Sequence, residues 1–513
     1  MAPMSFRSLA LVALSTLVFA QASDVESSAA SGQRANALAA CAALNKSLGS
    51  TLVQTSSGPE YDFSVHNAWN FQNTLFNPTC IVFPRQTSHV QTAMKAIFKA
   101  KAHYAVQAGS HSAMKGWNNV QDGVLILFSH MQSVVYDKPS HSVTFEPGIH
   151  WGNATSQLSQ YGVAVVGGRV GDVGTGLLLG GGISFLSPSQ GFAADNFLSL
   201  DVVLVDGTVV TATATNRYSD LFTALKGGAN RFGIVTKYTV RAVDVGTPDD
   251  TPFYGGHILY NSSYAAALSK ATAKYTRETT DPKAALLFTI TTTLIDGVAE
   301  QVCVLFLFYR GSSLPQSIYG DFLAIPAVDT VLSPLSWTQI LPARDPPNFV
   351  SSNRGFVQHF SASAVVPEDR LVLSALNHFQ NFSSAFLHNG TTSGMNTTSF
   401  ILTPILASQI AAGKAKGGNS MIAPGLKGPY LNVQRSEQFD AGVPDIPAFV
   451  QDGMNLYIKQ VPRSPGLPLF MNECDQGQNV YETYGNFDAL KATYKKYDPT
   501  RFNMQYTQGP MGL

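Results

Sequence analysis

A chain of 513 residues exceeds the ~250–300 at which one hydrophobic core stops growing, so more than one packed unit is expected. Its 33 basic and 33 acidic side chains cancel, which leaves nothing to attract a polyanion and excludes nucleic acid as a partner. Apolar residues make up 45% and charged residues only 13%, which excludes a disordered chain.

Arg7, an apolar run from Leu9 to Ala20 and then Ala20-Gln21-Ala22 give the order of a secretory signal peptide over residues 1–22. The run is too short for the ~20 residues that span a bilayer, and no later stretch is apolar enough, so no membrane partner is expected. Asn-X-Ser/Thr sequons at Asn45, Asn153, Asn261, Asn381, Asn389 and Asn396 fit a secreted glycoprotein. An oxidising compartment would let Cys41 pair with Cys80; closing a loop of that length contributes roughly 3–4 kcal/mol. Cys303 and Cys474 read as free thiols, and none of the cysteines has zinc-ligand spacing, so no metal is expected.

Ser23 to Ser31 reads as a polar leader and Ala35 to Leu48 as a helix. Asn77 to Pro84 reads as a strand ended by proline. Ser88 is positioned to cap a helix with Val90, Met94, Ile97, Phe98 and Lys101 on a 3–4 spacing. Strand Tyr104–Gln107 then delivers a glycine loop, Val106–Ala113, in a strand–helix–strand unit of nucleotide-binding type. Gly123–Leu127 and Val143–Pro147 read as strands, and Trp151–Tyr161 as a helix. A long glycine loop follows, Val166–Ser184, then a hairpin, Leu200–Val205 with Thr208–Ala212, turned by Asp206-Gly207. Helix Leu221–Lys226 leads into a third glycine segment, Ala224–Thr236.

Past residue 245 the texture changes to strand-like Ala285–Thr292 and Val302–Tyr309 and helix-like Asp369–Phe379, an α+β pattern. Asn389–Thr398 reads as an exposed glycosylated loop, and the final helix, from Ala489 to Tyr497, is stopped by Asp498-Pro499.

Three glycine-rich segments are too many for ordinary turns. They read as one cradle in which main-chain N–H groups converge on the phosphates of a bulky cofactor. A Rossmann reading of Gly174-x-Gly176-x-x-x-Gly180 with Asp195 fails on spacing, which is not G-x-G-x-x-G.

Residues 74–245 resemble the FAD-binding domain, of the PCMH type, of the vanillyl-alcohol-oxidase superfamily, in its berberine-bridge-enzyme-like branch. The resemblance is carried by A-G-S-H-S at Ala108–Ser112, E-P-G at Glu146–Gly148, G-G-R-V-G-D-V-G-T-G-L-L-L-G-G-G at Gly167–Gly182 and G-F-A-A-D-N at Gly191–Asn196. It continues with V-L-V-D-G at Val203–Gly207, L-K-G-G-A-N-R-F-G-I-V-T at Leu225–Thr236 and the segment Tyr484–Pro499; the tail and the signal look most like fungal members. The implied fold is α+β: a two-part FAD-binding domain over 35–245, a substrate domain with an antiparallel sheet over 246–470, and a segment 471–513 returning to the first.

The resemblance implies a covalent bond from His111 to FAD. Where many relatives carry a cysteine that forms a second bond, this chain has Val170, so a single attachment is expected. Gln107 and Ser110 replace the usual arginine and second glycine of the first loop. Gly109, Ser110, Ser112, Gly174, Thr175, Gly176, Leu178, Gly181 and Gly182 are implied to hold the pyrophosphate and ring. Asn196, Gly233, Ile234 and Val235 are implied near the ribityl and adenine portions.

Such enzymes pass a hydride from substrate to flavin while a base removes a proton, and dioxygen commonly takes the electrons, giving hydrogen peroxide. The usual Tyr-x-Asn-Tyr strand corresponds to Phe470-Met471-Asn472-Glu473, which puts Glu473 where a tyrosine is usual; a carboxylate of raised pKa can act as the base. Tyr484 and His359 are further candidates. The implied activity is a secreted, monomeric oxidase of a small alcohol or secondary-metabolite intermediate. The alternatives are an oligosaccharide or sugar-alcohol oxidase with Trp117 and Trp151 along a groove, and a flavin-bound protein, cyclase or binder, that performs no redox step.

Overall fold

The computed structural model describes residues 31–344, 354–387 and 393–513. The signal peptide, the leader before Ser31 and the Asn389 sequon lie outside the described residues. A helix over 31–48 buries Ala37, Ala40, Cys41 and Leu44 on one stripe, and Cys41 is disulfide-bonded to Cys80. That bond ties the helix to a four-stranded sheet ordered Val53–Gln54, Cys80–Val82, Val124–Leu127, Tyr104–Gln107, in which the last three strands are parallel. Helix Thr87–Ala100 makes the crossover and buries Val90, Ala93, Met94 and Ile97. Its N-cap is Gln86, so Ser88 lies inside the first turn; the extended backbone of Gln86 already makes the entry that a cap residue provides.

Five antiparallel strands form the next sheet, ordered Val134–Asp137, Ser142–Phe145, Ile234–Arg241, Phe197–Val203, Val209–Thr213. The expected hairpin is its outer pair: Gly207 takes φ +82°, and the Asp206 carboxylate accepts the Thr208 N–H at 2.8 Å.

The largest sheet has seven strands, ordered Asp329–Leu335, Phe253–Asn261, Val298–Tyr309, Ala284–Ile295, Met395–Ile405, Tyr430–Phe439, Val357–Val365, all antiparallel. Met395–Thr398 is therefore strand and not loop. Thr397 pairs with Thr293 and Thr398 with Thr292, and these β-branched residues suit a pleated surface better than an open loop. Within it the runs Ala284–Thr292 and Cys303–Phe308 are buried on both faces, which is why they read as nearly continuous apolar runs. Leu286, Phe288 and Ile290 pack with helices Ala265–Glu278 and Asp369–Leu387, while Ala285 and Leu287 point to the glycine-loop half.

Among the described residues no eighth strand lies beside the edge strand Val357–Val365, and side chains from elsewhere finish its outer row. The Asn70 carboxamide accepts from Gln358 N at 3.2 Å and donates to Gln358 O at 3.1 Å. The Gln478 carboxamide does the same at Ala362, at 3.0 and 2.8 Å, and Ser464 N donates to Ala364 O at 2.7 Å. An open edge is thereby closed without a strand. The C-terminal helices Phe487–Tyr497 and Phe502–Tyr506 return to the glycine half, where buried Arg231 donates to Asn503, Thr507 and Pro510.

Candidate active site

A cavity of about 500 Å3 lies between the glycine loops and the bare face of the seven-stranded sheet. One wall is formed by residues 108–114, 173–177, 179–180 and 233–235, so the three glycine segments do converge. They can do so because two of them touch backbone to backbone. A Cβ on Gly109 would stand 2.5 Å from Gly174 Cα, closer than any side chain allows. Ser110 holds the left-handed φ of +62° that glycine would take more easily; its hydroxyl donates to Asn67 O at 3.0 Å and accepts from Arg354 at 3.1 Å.

His111 projects from this wall. Its ring stacks on Trp69, with centroids 4.0 Å apart and planes 14° from parallel, and its Nε2 stands 3.7 Å from the Asp172 carboxylate. The stack fixes the direction of the ring. Val170 lines the same cavity.

The opposite wall is made of side chains. One cross-strand row carries Thr291, Ser399, Ser436 and Phe360; the next carries Thr397, Gln438 and Gln358. Glu473 closes one end. Arg169 donates to one of its oxygens at 3.3 Å, and Asn432 Nδ2 donates to the other. Arg169 also donates to the Thr403 hydroxyl.

Residues 78–213 match the family described as FAD binding domain. An FAD-dependent monooxygenase of Arthrobotrys oligospora is 30% identical over 486 residues, covering 91% of this chain and 88% of that protein. The chain belongs to the FAD-linked oxidoreductases. An uncharacterized FAD-linked oxidoreductase of Arthroderma benhamiae is 27% identical over 483 residues, covering 90% of this chain and 92% of that protein. In fold the chain is similar to Physcomitrella patens BBE-like 1, with TM-score 0.71 at 22% identity, over 90% of this chain and 97% of that one. The enzyme thus shares its fold with BBE-like 1, and its cofactor is FAD.

The residues present fit that cofactor. The cavity wall is main chain where phosphates must be approached, and Gly176 faces open space that a side chain would occupy. Of the sequence-predicted positions in this oxidoreductase, Gly109, Ser110, His111, Ser112, Gly174, Thr175, Gly176, Gly233, Ile234, Val235 and Glu473 all line the cavity. Trp117 lines it too, whereas Trp151 is buried beneath Gly167 and Gly168 and lines no groove.

Six predicted positions do not line this cavity. Leu178 is buried in the core, and a Cβ on Gly181 or Gly182 would meet Met421 or Leu177. Asn196 donates to Gln190 O and Phe192 O, and its Oδ1 receives Lys416 Nζ at 2.6 Å, so it fastens two loops together. Burial pushes the Lys416 ammonium down to about 8, against the pull of Asp195. Tyr484 is buried and donates to Gly227 O at 3.1 Å, and burial holds its hydroxyl well above the ordinary range. His359 has both ring nitrogens hydrogen-bonded to carboxylates, Glu437 at 2.9 Å and Asp475 at 2.6 Å, which leaves neither nitrogen to act as a base. The run expected as a strand at Phe470–Glu473 is a 3-10 turn, Met471–Glu473.

Trp69, Arg169, Asp172 and Asn432 were not singled out. Arg169 and Asp172 stand inside the long glycine motif, beside Val170, and were legible there; nothing marked Trp69 or Asn432.

Proposed function

We propose that this FAD-linked oxidoreductase oxidises a small alcohol or secondary-metabolite intermediate, with its FAD bonded once, through His111, and with dioxygen as electron acceptor. The observation that carries the reading is His111, on a fixed stack, lining the same cavity as the buried carboxylate of Glu473. When bound, the FAD accepts the hydride that leaves the substrate carbon and passes the electrons to dioxygen, giving hydrogen peroxide. Glu473 accepts the substrate hydroxyl proton. Arg169 donates to one of its oxygens and Asn432 to the other, which aims the carboxylate. The sheet wall binds the rest of the molecule, and Phe470 and Phe360 keep that space from being fully polar.

Export fits the disulfide and the exposed sequons at Asn45, Asn153, Asn261 and Asn381; Asn396 is half-buried and donates to Asp440 at 2.8 Å. The deciding measurement is the mass of the peptide containing His111 after denaturation. It should carry the added mass of FAD, and flavin that washes out of denatured protein overturns the covalent reading.

A further inference from the structure

Glu473 stands on the turn Met471–Glu473, which belongs to no sheet, so the placement of its carboxylate depends on the segment that follows as well as on Arg169 and Asn432. That segment, Cys474–Gln478, is stitched to the edge strand Val357–Val365 at two points. The Gln478 carboxamide pairs with both backbone groups of Ala362, and Asp475 Oδ2 takes His359 Nε2 at 2.6 Å. The second oxygen of Asp475 accepts Gly477 N at 2.7 Å, which closes the turn.

His359 is itself fixed from behind. Its Nδ1 bonds to Glu437 at 2.9 Å, and Glu437 is fully buried on the neighbouring strand, where it pairs with Arg435. Arg435 is held between the rings of Phe382 and Tyr457, at 4.1 and 4.4 Å from their centroids. A line of alternating charge therefore runs from the helix-covered face of the sheet out to the turn: Arg435, Glu437, His359, Asp475. With both nitrogens donating to carboxylates, His359 is an imidazolium, and the line is neutral only while it keeps that charge.

We propose that His359 is a positioning residue: as an imidazolium it clamps the Asp475–Gln478 turn to the sheet and so fixes where the Glu473 carboxylate stands. The proposal rests on the reading of Glu473 as the proton acceptor. Burial alone pushes the imidazole down, but the hydrogen bonds and charges of Asp475 and Glu437 outweigh it and hold His359 at about 9. The charged groups around it are Glu437 and Arg435 on the adjacent strand, Asp475 on the turn, and Lys115 and Asp445 across the neighbouring cavity. A raised folded pKa means that the clamp is complete below the ordinary imidazole range, near 6.5, and is lost as pH rises through about 9.

The test uses the FAD-loaded, full-length enzyme and amide hydrogen exchange of peptides spanning residues 470–478. In the wild type these amides are protected at neutral pH, and their protection relative to the intrinsic exchange rate at the same pH falls at least about tenfold once pH passes the His359 transition, as expected when a charged hydrogen bond worth roughly 1.4 kcal/mol is lost. His359→Gln exchanges fast at both pH values, and Asp475→Asn, which keeps the Glu437–Arg435 pair, reproduces the loosening if His359→Gln folds poorly. The visible absorbance of the bound FAD shifts with the same midpoint in the wild type and loses that transition in His359→Gln, a change that general destabilisation would not produce. Equal protection in wild type and variants, or faster exchange spread evenly over the seven-stranded sheet, overturns the clamp. Wild-type turnover in Glu473→Gln would instead remove Glu473 as proton acceptor, and with it the catalytic purpose of the clamp, while the exchange pattern stayed as expected.

Discussion

The glycine-loop wall of the cavity meets its occupant with main chain, whereas the sheet wall meets it with side chains. On the first wall the loops lie so close that Gly109 and Gly174 leave no room for a Cβ, and function and fold share the same atoms. On the second wall, serine, threonine and glutamine stand on a sheet whose hydrogen bonds and opposite-face core would survive their replacement. The first wall is therefore suited to a constant cofactor, and the second can change its ligand one residue at a time.

Gly109→Val should break the first wall outright. The new carbons meet Gly174 backbone, which cannot yield, so the protein should be recovered colourless, with its thermal midpoint lowered by overpacking of about 1–3 kcal/mol or more; FAD content per chain measures it. Glu473→Gln should keep full FAD content and lower turnover by ~10²–10⁴, the range for loss of a positioned base, read by peroxide release. Ser436→Ala, on the sheet wall, removes one neutral hydrogen bond worth ~0.5–1.5 kcal/mol, so it should raise KM by at most about tenfold and leave FAD content and thermal midpoint nearly unchanged. A colourless Ser436→Ala protein would erase the contrast between the walls.

The smallest effect belongs to Lys416, behind the first wall. Its folded pKa, about 8, lies below that of the unfolded chain, so the unfolded state binds more protons between about 8 and 10.5 and stability rises with pH across that window. The cost of its buried charge is fully present below the window. The difference in thermal midpoint between wild type and Lys416→Met, followed across that range, should show this rise; a flat difference would remove it.

The same contrast explains what could be read beforehand. Backbone contact leaves glycines in the sequence, so the first wall was legible down to His111 and Ser110. The sheet wall was not, because Thr291, Ser399 and Ser436 become neighbours only through strand register, and serine or threonine in a strand announces nothing. Asn196 was misplaced for a related reason: no local pattern reveals that a distant lysine will occupy its carboxamide. Asn389–Thr398 looked like loop by composition, yet its described end, Met395–Thr398, is pulled into strand by pairing with Thr292 and Thr293. The hairpin at Asp206-Gly207, whose signal is purely local, was read correctly.

The carboxamides of Asn70 and Gln478, which complete the border of the large sheet, come from opposite ends of the polypeptide. The border is therefore complete only once residue 478 is in place. A nascent or truncated product would instead expose an unsealed border to its neighbours.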